Sequence, residues 1–239
     1  MTYNDDWERE APNWIAWARS PNHDAYWEYS PAFFDLVPAP GRATLEVGCG
    51  EGRVARDLAG RGHRVTAVDA SPTLLAAAEA ADPAGEYILA DAAALPFSDE
   101  TFDLAVAYNS LMDVHDMPGA VNEAARVLRR GGRFCVCVTH PFADAGRFEE
   151  RKADSPFVVP ESYFGRRRFE ETFDRGGIAM TFRGWCYPFE DYARAFESAG
   201  LLIEALREPA QRDDVVAQDP AEARWRRLPM FLFLRLLKR

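Results

Sequence analysis

Cysteine is scarce in this chain of 239 residues. Its four cysteines, Cys49, Cys135, Cys137 and Cys186, contain no Cys-x-x-Cys pair and supply no four-ligand zinc spacing. Buried free thiols in a reducing compartment are the expectation. Basic residues are outnumbered, 28 against 38 acidic, for a net charge of −10. Phosphate binding leans on clustered Lys and Arg, so a nucleic-acid partner is disfavoured, although a local basic face stays open. Long apolar runs are missing too. The N-terminus, Met1-Thr2-Tyr3-Asn4-Asp5-Asp6, is polar and acidic with no apolar signal core. The longest apolar run near the end, 230–234, is far too short to span a bilayer. The expectation is a soluble, cytoplasmic protein with no membrane partner and no metal.

What is present is a hydrophobic fraction of 48%, ample for a full core, in a length suited to one α/β domain over 1–239. The most informative stretch is Leu45-Glu46-Val47-Gly48-Cys49-Gly50-Glu51-Gly52-Arg53, an apolar run that ends in an acid and opens into three alternating glycines. Arg64-Val65-Thr66-Ala67-Val68-Asp69 follows as a second short strand, also ending in an acid. A strand, a glycine-rich turn and a helix put free N–H groups and the positive end of a dipole at one spot. That suits the polar part of a nucleotide-like cofactor, with Asp69 placed to grip ribose hydroxyls. A purely structural strand-to-helix turn would leave the same letters. The dinucleotide fingerprint G-x-G-x-x-G needs its third glycine three positions after the second. Here the glycines are 48, 50 and 52, and position 53 is arginine.

G-x-G-x-G with Glu46 upstream resembles motif I of the class I S-adenosylmethionine-dependent methyltransferases. Later segments extend the likeness: Ala90-Asp91-Ala92 with Leu95-Pro96-Phe97, then Phe102-Asp103, then Arg126-Val127-Leu128-Arg129 with Gly131-Gly132. It is close over 45–140 and looser beyond. The fold it implies is α/β: a Rossmann-like, seven-stranded, mostly parallel sheet with helices on both faces, its last strand antiparallel. The resemblance also implies S-adenosyl-L-methionine as cofactor and S-adenosyl-L-homocysteine as product. Glu46 and the backbone of Gly48, Cys49 and Gly50 would face the methionine part. Asp69 would accept both ribose hydroxyls, and Ala70 would lie against the adenine. Asp91 would accept from the adenine amino group while the Ala92 N–H donates to the ring. Asn109, closing the fourth strand, would offer its carbonyl to the methionine ammonium. Each acid has a plainer alternative, capping a helix or pairing with an arginine. Arg53 either meets the methionine carboxylate or faces solvent.

The chain divides into three regions. Residues 1–37 are rich in aromatics and read as two short helices, with Pro12 and Pro21 near their starts. They form a helical cap that packs on the sheet, covers the cleft, or does both. Residues 43–140 alternate strand and helix, which places Glu46, Asp69, Asp91, Asn109 and His140 at strand ends that border one crevice. From 141 to 184 the pattern breaks. Segments 169–173 and 178–182 flank the turn Asp174-Arg175-Gly176-Gly177 and read as a β-hairpin inserted after the fifth strand. A helix over 189–199 and strands over 201–206 and 231–237 follow, with 211–222 as a connecting loop.

The acceptor is less legible. Met112-Asp113-Val114-His115-Asp116 and His140-Pro141 resemble a bacterial subgroup of small-molecule methyltransferases, in which the residue before the tyrosine-proline pair is often histidine; here it is Cys186. His140 is the candidate general base or orienting group. Its plainer reading is a lock on the next loop through a backbone hydrogen bond. Asp113 and His115 are either site residues or helix-start residues. Arg166-Arg167-Arg168 is either a solvated edge or a clamp for a substrate anion. Trp14, Tyr26, Tyr163 and Trp185 are expected as apolar walls over the acceptor. The expected partner is a small, partly aromatic or apolar metabolite, handled by a monomer or homodimer. The rival functions are a nicotinamide-dependent oxidoreductase and a protein that binds the methionine cofactor without transferring methyl.

Overall fold

The computed structural model describes residues 4–239. Its first element, α1 (Asn4–Arg19), is one 16-residue helix with Pro12 inside it, and α2 (Tyr26–Phe34) likewise contains Pro31. The sequence placed Pro12 near a helix start, and the structure corrects that. An interior proline removes one backbone hydrogen bond. Tertiary anchors on both sides offset the loss here. Before Pro12, the Glu8 carboxylate accepts from the backbone N–H of Thr73 at 3.2 Å; after it, Trp17 and Ala18 are buried.

Strand and helix then alternate: β1 (Thr44–Val47), α3 (Arg53–Gly60), β2 (Val65–Asp69), α4 (Pro72–Ala81), β3 (Glu86–Leu89), β4 (Phe102–Tyr108), α5 (Met117–Val127) and β5 (Leu128–Thr139). Two helix starts are written in the sequence. Ser71 accepts from Leu74 N–H at 3.1 Å with Pro72 at the first position, and Asp116 accepts from Gly119 N–H at 3.0 Å. Asp116 is thereby the cap of α5.

The insertion holds α6 (Pro141–Ala145), a small ribbon of β6 (Arg147–Phe148) and β7 (Phe157–Val158), and the long hairpin of β8 (Arg167–Arg175) and β9 (Ile178–Cys186). The chain closes with α7 (Phe189–Ser198), β10 (Leu201–Arg207), α8 (Asp213–Gln218), a 3-10 helix (Pro220–Arg226) and β11 (Phe231–Lys238). The hairpin is longer than its sequence signal. The segment 211–222, read as loop, carries α8 and part of the 3-10 helix.

The main sheet has seven strands in the order β10-β11-β5-β4-β1-β2-β3. β11 runs antiparallel to both neighbours, and the strands from β5 to β3 pair in parallel. This is the expected Rossmann-like arrangement. The chain winds outward from β1 in two directions, so a crevice opens at the carboxyl ends of β1 and β4.

Successive residues of the central strands feed two cores, as a two-residue side-chain period requires. Ala105, Ala107, Phe134, Val136 and Val138 pack with α5 and α7 residues such as Val121 and Phe196. Leu104, Val106, Cys135 and Cys137 pack with Phe33 of α2 and Leu58 of α3 on the other face. All four cysteines are buried free thiols.

Two details differ from the sequence reading. β3 stops at Leu89, which puts Asp91 in the turn beyond it. Gly131-Gly132, a pair that reads as a turn, lies inside β5 at a register shift, where Phe102 faces Leu128 but Leu104 faces Arg133. No helix among the described residues is long and apolar enough to cross a membrane.

Candidate active site

The glycine loop leaves β1 under two backbone ties, from Gly48 N–H and Cys49 N–H to the Val68 carbonyl, both 2.9 Å. Gly48 has φ +73°, and a Cβ there would sit 2.5 Å from the Ser110 Cβ. Gly50 has φ +57°, and a Cβ there would come 3.1 Å from the Trp14 Nε1. Bare backbone is therefore required where β1, β4 and α1 converge. The Asp69 carboxylate completes the cradle. Its Oδ2 accepts from Gly50 N–H at 2.7 Å and its Oδ1 from Ser71 N–H at 2.9 Å. With the Ala70 N–H also acting on the carboxylate, the acceptor capacity that is left is open to a ligand hydroxyl. Burial pushes the Asp69 carboxyl up, against the pull of these N–H donors.

Glu46 is the most telling residue. It is 1% exposed, and its Oε2 has no hydrogen-bond partner. Burial, reinforced by the neighbouring Asp69 charge, holds its carboxyl well above the usual carboxylate range. A buried acceptor without a donor is costly unless a ligand supplies one. An ammonium group, such as the methionine end of the expected cofactor carries, would donate to Oε2.

One cavity of about 500 Å³ gathers the site. Its wall includes all ten residues assigned to the cofactor: Glu46, Gly48, Cys49, Gly50, Arg53, Asp69, Ala70, Asp91, Ala92 and Asn109. Asp91 accepts from Ala93 N–H at 2.9 Å and is otherwise exposed, so its outer oxygen is available to a ligand. Asn109 sits at φ +50°, with its N–H on the Cys137 carbonyl at 2.8 Å. Arg53 faces the cavity rather than open solvent. Its guanidinium pairs with Asp24 at 2.8 Å and lies over the Tyr26 ring at 4.1 Å.

The roof is aromatic. Phe182 of β9 meets Trp14 at 6.1 Å and Trp17 at 5.7 Å, edge to face, so α1 and the hairpin interlock above the sheet. Two ion pairs lock the same seam: Arg183 with Glu10 at 3.2 Å, and Arg168 with Asp6 at 2.9 Å. Of the four expected wall residues, Trp14, Tyr26 and Trp185 line the cavity. Tyr163 does not: it stacks on Phe142, and its hydroxyl accepts from Phe189 N–H at 2.9 Å. The arginine run is committed to structure. Arg166 lies over Trp185 at 3.9 Å, Arg167 donates to the Asp144 carbonyl, and Arg168 holds α1.

His140 stands outside the cavity wall. It is 5% exposed, its Nδ1 accepts from Phe142 N–H at 3.1 Å as the cap of α6, and its Nε2 faces Glu208 Oε1 at 2.9 Å. With Nδ1 accepting, the ring proton belongs on Nε2, directed at Glu208. Burial pushes the imidazole below its ordinary value, and Glu208 opposes that shift. Asp113 and His115 do line the cavity. So do Phe169 and Phe173, which the sequence marks only as strand residues, and Asp24 and Asp144, which carried no sequence signal because only the tertiary folding of the cap and insertion brings them there. Among the described residues, no three His, Cys, Asp or Glu side chains gather as a metal site.

Known proteins resemble this chain as follows. A family model described as a methyltransferase domain matches residues 45–136. The malonyl-[acyl-carrier protein] O-methyltransferase of Salmonella typhimurium is 40% identical over 182 residues, covering 72% of this chain and 68% of that protein. The demethylmenaquinone methyltransferase of Tropheryma whipplei is 36% identical over 121 residues, covering 49% of this chain and 50% of that protein. Among solved structures, an S-adenosylmethionine-dependent methyltransferase from Mesorhizobium loti superposes with a TM-score of 0.71 at 24% identity, over 90% of this chain and 98% of that one.

Proposed function

Since this chain belongs to the class I S-adenosylmethionine-dependent methyltransferases, we propose that it methylates a small, partly aromatic or apolar metabolite held free in the roofed cavity. The observation that carries this reading is the cavity itself. At one end it has the acids and glycines suited to the cofactor, and over the other an aromatic roof made by α1 and the β8–β9 hairpin. Its volume of about 500 Å³ falls in the range of small-ligand sites.

Bound S-adenosylmethionine supplies an activated methyl group on a sulfonium. The protein's own work is to bind, orient and exclude water. Glu46 receives the methionine ammonium, with the Asn109 carbonyl beside it. Arg53, steadied by Asp24, receives the methionine carboxylate. Asp69 takes the ribose hydroxyls, Ala70 packs on the adenine, and Asp91 with the Ala92 N–H reads its edge. Trp14, Phe182 and Trp185 then present rigid apolar surface to the acceptor and keep the reacting atoms dry. His140 acts at a distance, fixing α6 and the loop after β5 rather than moving a proton. A cytoplasmic setting fits four cysteines that are all free thiols, and the excess of acidic residues supports a metabolite over a nucleic acid.

The test is release of S-adenosylhomocysteine against a panel of free aromatic and apolar metabolites, with malonyl-acyl-carrier protein and RNA alongside. Turnover with free metabolites is expected. Turnover confined to the carrier protein or to RNA would overturn the reading.

A further inference from the structure

Two carboxylates that line the cavity have neither a role assigned toward the cofactor nor an ion pair, unlike Glu51 and Asp24, which arginines hold. Asp113 lies in the turn after β4, and Asp144 lies in α6 after β5. In the strand order these strands sit on one side of β1, while β2, which ends in Asp69, and β3, which Asp91 follows in the next turn, sit on the other. Asp113 and Asp144 therefore flank the end of the cavity away from the ribose and adenine positions. We propose that they form an acidic subsite that receives the ammonium group of a small amine acceptor and takes its proton ahead of methyl transfer. This rests on the methyltransferase reading above.

The surroundings leave the pair waiting for a cation. Among the described residues, no hydrogen-bond donor reaches either carboxylate. The cavity's arginines are engaged elsewhere: Arg53 with Asp24, Arg183 with Glu10 and Glu170, and Arg175, exposed at the mouth, on the His23 carbonyl. Arg167 approaches Asp144 from outside the cavity, and its hydrogen bond goes to the backbone carbonyl. The hairpin closes tightly on Asp113. A Cβ at Gly184 would lie 2.6 Å from Asp113 Oδ1, so only glycine leaves room for that carboxylate.

Electrostatics agree with the geometry. Burial, with the charges of Asp144 and Asp69 adding to it, holds the Asp113 carboxyl well above its usual range. Burial pushes Asp144 up to about 7, and Arg167 pulls the other way. Burial pushes the Cys186 thiol and the Tyr192 hydroxyl up, and the nearby Asp144 charge adds to both shifts. An ammonium group relieves this crowding of negative charge, whereas a carboxylate acceptor adds to it. The aromatic roof of Trp14, Phe173 and Phe182 suits a flat apolar body attached to that amine.

The step balances. An ammonium N–H passes its proton to an ionised carboxylate of the pair, and the freed nitrogen lone pair forms the N–C bond. The methyl–sulfur bond breaks as this forms, its electron pair stays on sulfur as a neutral thioether, and the positive charge ends on the methylated nitrogen. The proton leaves the pair to solvent when the product departs.

The experiment uses the full chain saturated with S-adenosylhomocysteine and three matched probes: 2-phenylethylamine, 2-phenylethanol and 3-phenylpropanoate. Calorimetry is expected to show the amine binding roughly tenfold or more tighter than the alcohol or the acid. Asp113→Asn and Asp144→Asn should each remove most of that preference while leaving S-adenosylhomocysteine affinity within about twofold. Gly184→Ala, which crowds Asp113, should do the same and serves if an Asn variant fails to fold. The proposal is overturned if the amine is not preferred, if none of the probes binds, or if the preference survives both Asn variants. It is also overturned if the variants lose cofactor affinity in step, since the pair would then belong to the cofactor. Failure of the wild type to bind S-adenosylhomocysteine would instead overturn the methyltransferase reading.

Discussion

Replacing Glu46 with glutamine should stabilise the free protein and weaken it for its cofactor, two effects of opposite sign from one atom. Glu46 is 1% exposed, its Oε2 lacks a donor, and the Asp69 charge is a near neighbour. A buried polar group left unsatisfied costs about 1–3 kcal/mol, more when charged. Glutamine has nearly the same shape and removes the charge. A gain of about 1–2 kcal/mol corresponds to a rise of roughly 2–8 °C in the melting midpoint for a chain of this size. The gain should depend on pH. The folded protein holds this carboxyl above its ordinary value of 4.5, so folding takes up a proton in the window between the two values. The stability Glu46 contributes is fully present below that ordinary value and lost as the pH rises through the folded one. The advantage of Glu46→Gln should therefore widen as the pH rises. Calorimetry with S-adenosylhomocysteine should show binding weakened roughly ten- to hundredfold, the loss of a charge-assisted hydrogen bond of about 1.5–3 kcal/mol. A variant that melts lower than wild type at every pH, or binds as tightly, would rule out a buried, donor-less carboxylate at Glu46 that waits for the cofactor's ammonium.

Asp69→Ala strips the acceptor from Gly50 N–H and Ser71 N–H as well as from the ribose; affinity should fall roughly ten- to hundredfold by calorimetry, and full affinity in a folded variant would contradict the ribose role. His140→Ala should lower stability by about 1 kcal/mol through loss of the α6 cap, with S-adenosylhomocysteine affinity unchanged within about twofold; His140→Asn, which can still accept from Phe142 N–H, should recover most of that stability in a thermal melt. Chelation should leave S-adenosylhomocysteine release intact, with no gain from added magnesium; a strict magnesium requirement would recast Asp113 as a metal ligand.

The parallel half of the fold was legible because its signals are local. Val47-Gly48-Cys49-Gly50 and Val68-Asp69 each place a strand end and a turn within a few residues, and the cofactor wall is built from such ends. The roof was legible only in outline. Pro12 reads as a helix start to any local rule, yet tertiary anchors carry α1 through it. Tyr163 looked like a wall residue by type and position, but the stack on Phe142 turns it away from the cavity. His140 sits at a strand end like the cofactor acids, so its sequence leaves a base and a loop lock equally open, and the hydrogen bond from Phe142 N–H favours the lock. Asp144 gave no signal at all. Its role depends on where α6 and the hairpin meet, which no spacing in the sequence encodes.

The measurement that bears most directly on this account is a crystal structure of the full chain with S-adenosylhomocysteine. The ligand's ammonium is expected within hydrogen-bond distance of Glu46 Oε2, its ribose on Asp69 and its adenine beside Asp91 and Ala92. A ligand seated elsewhere, with Glu46 Oε2 still lacking a donor, would contradict it.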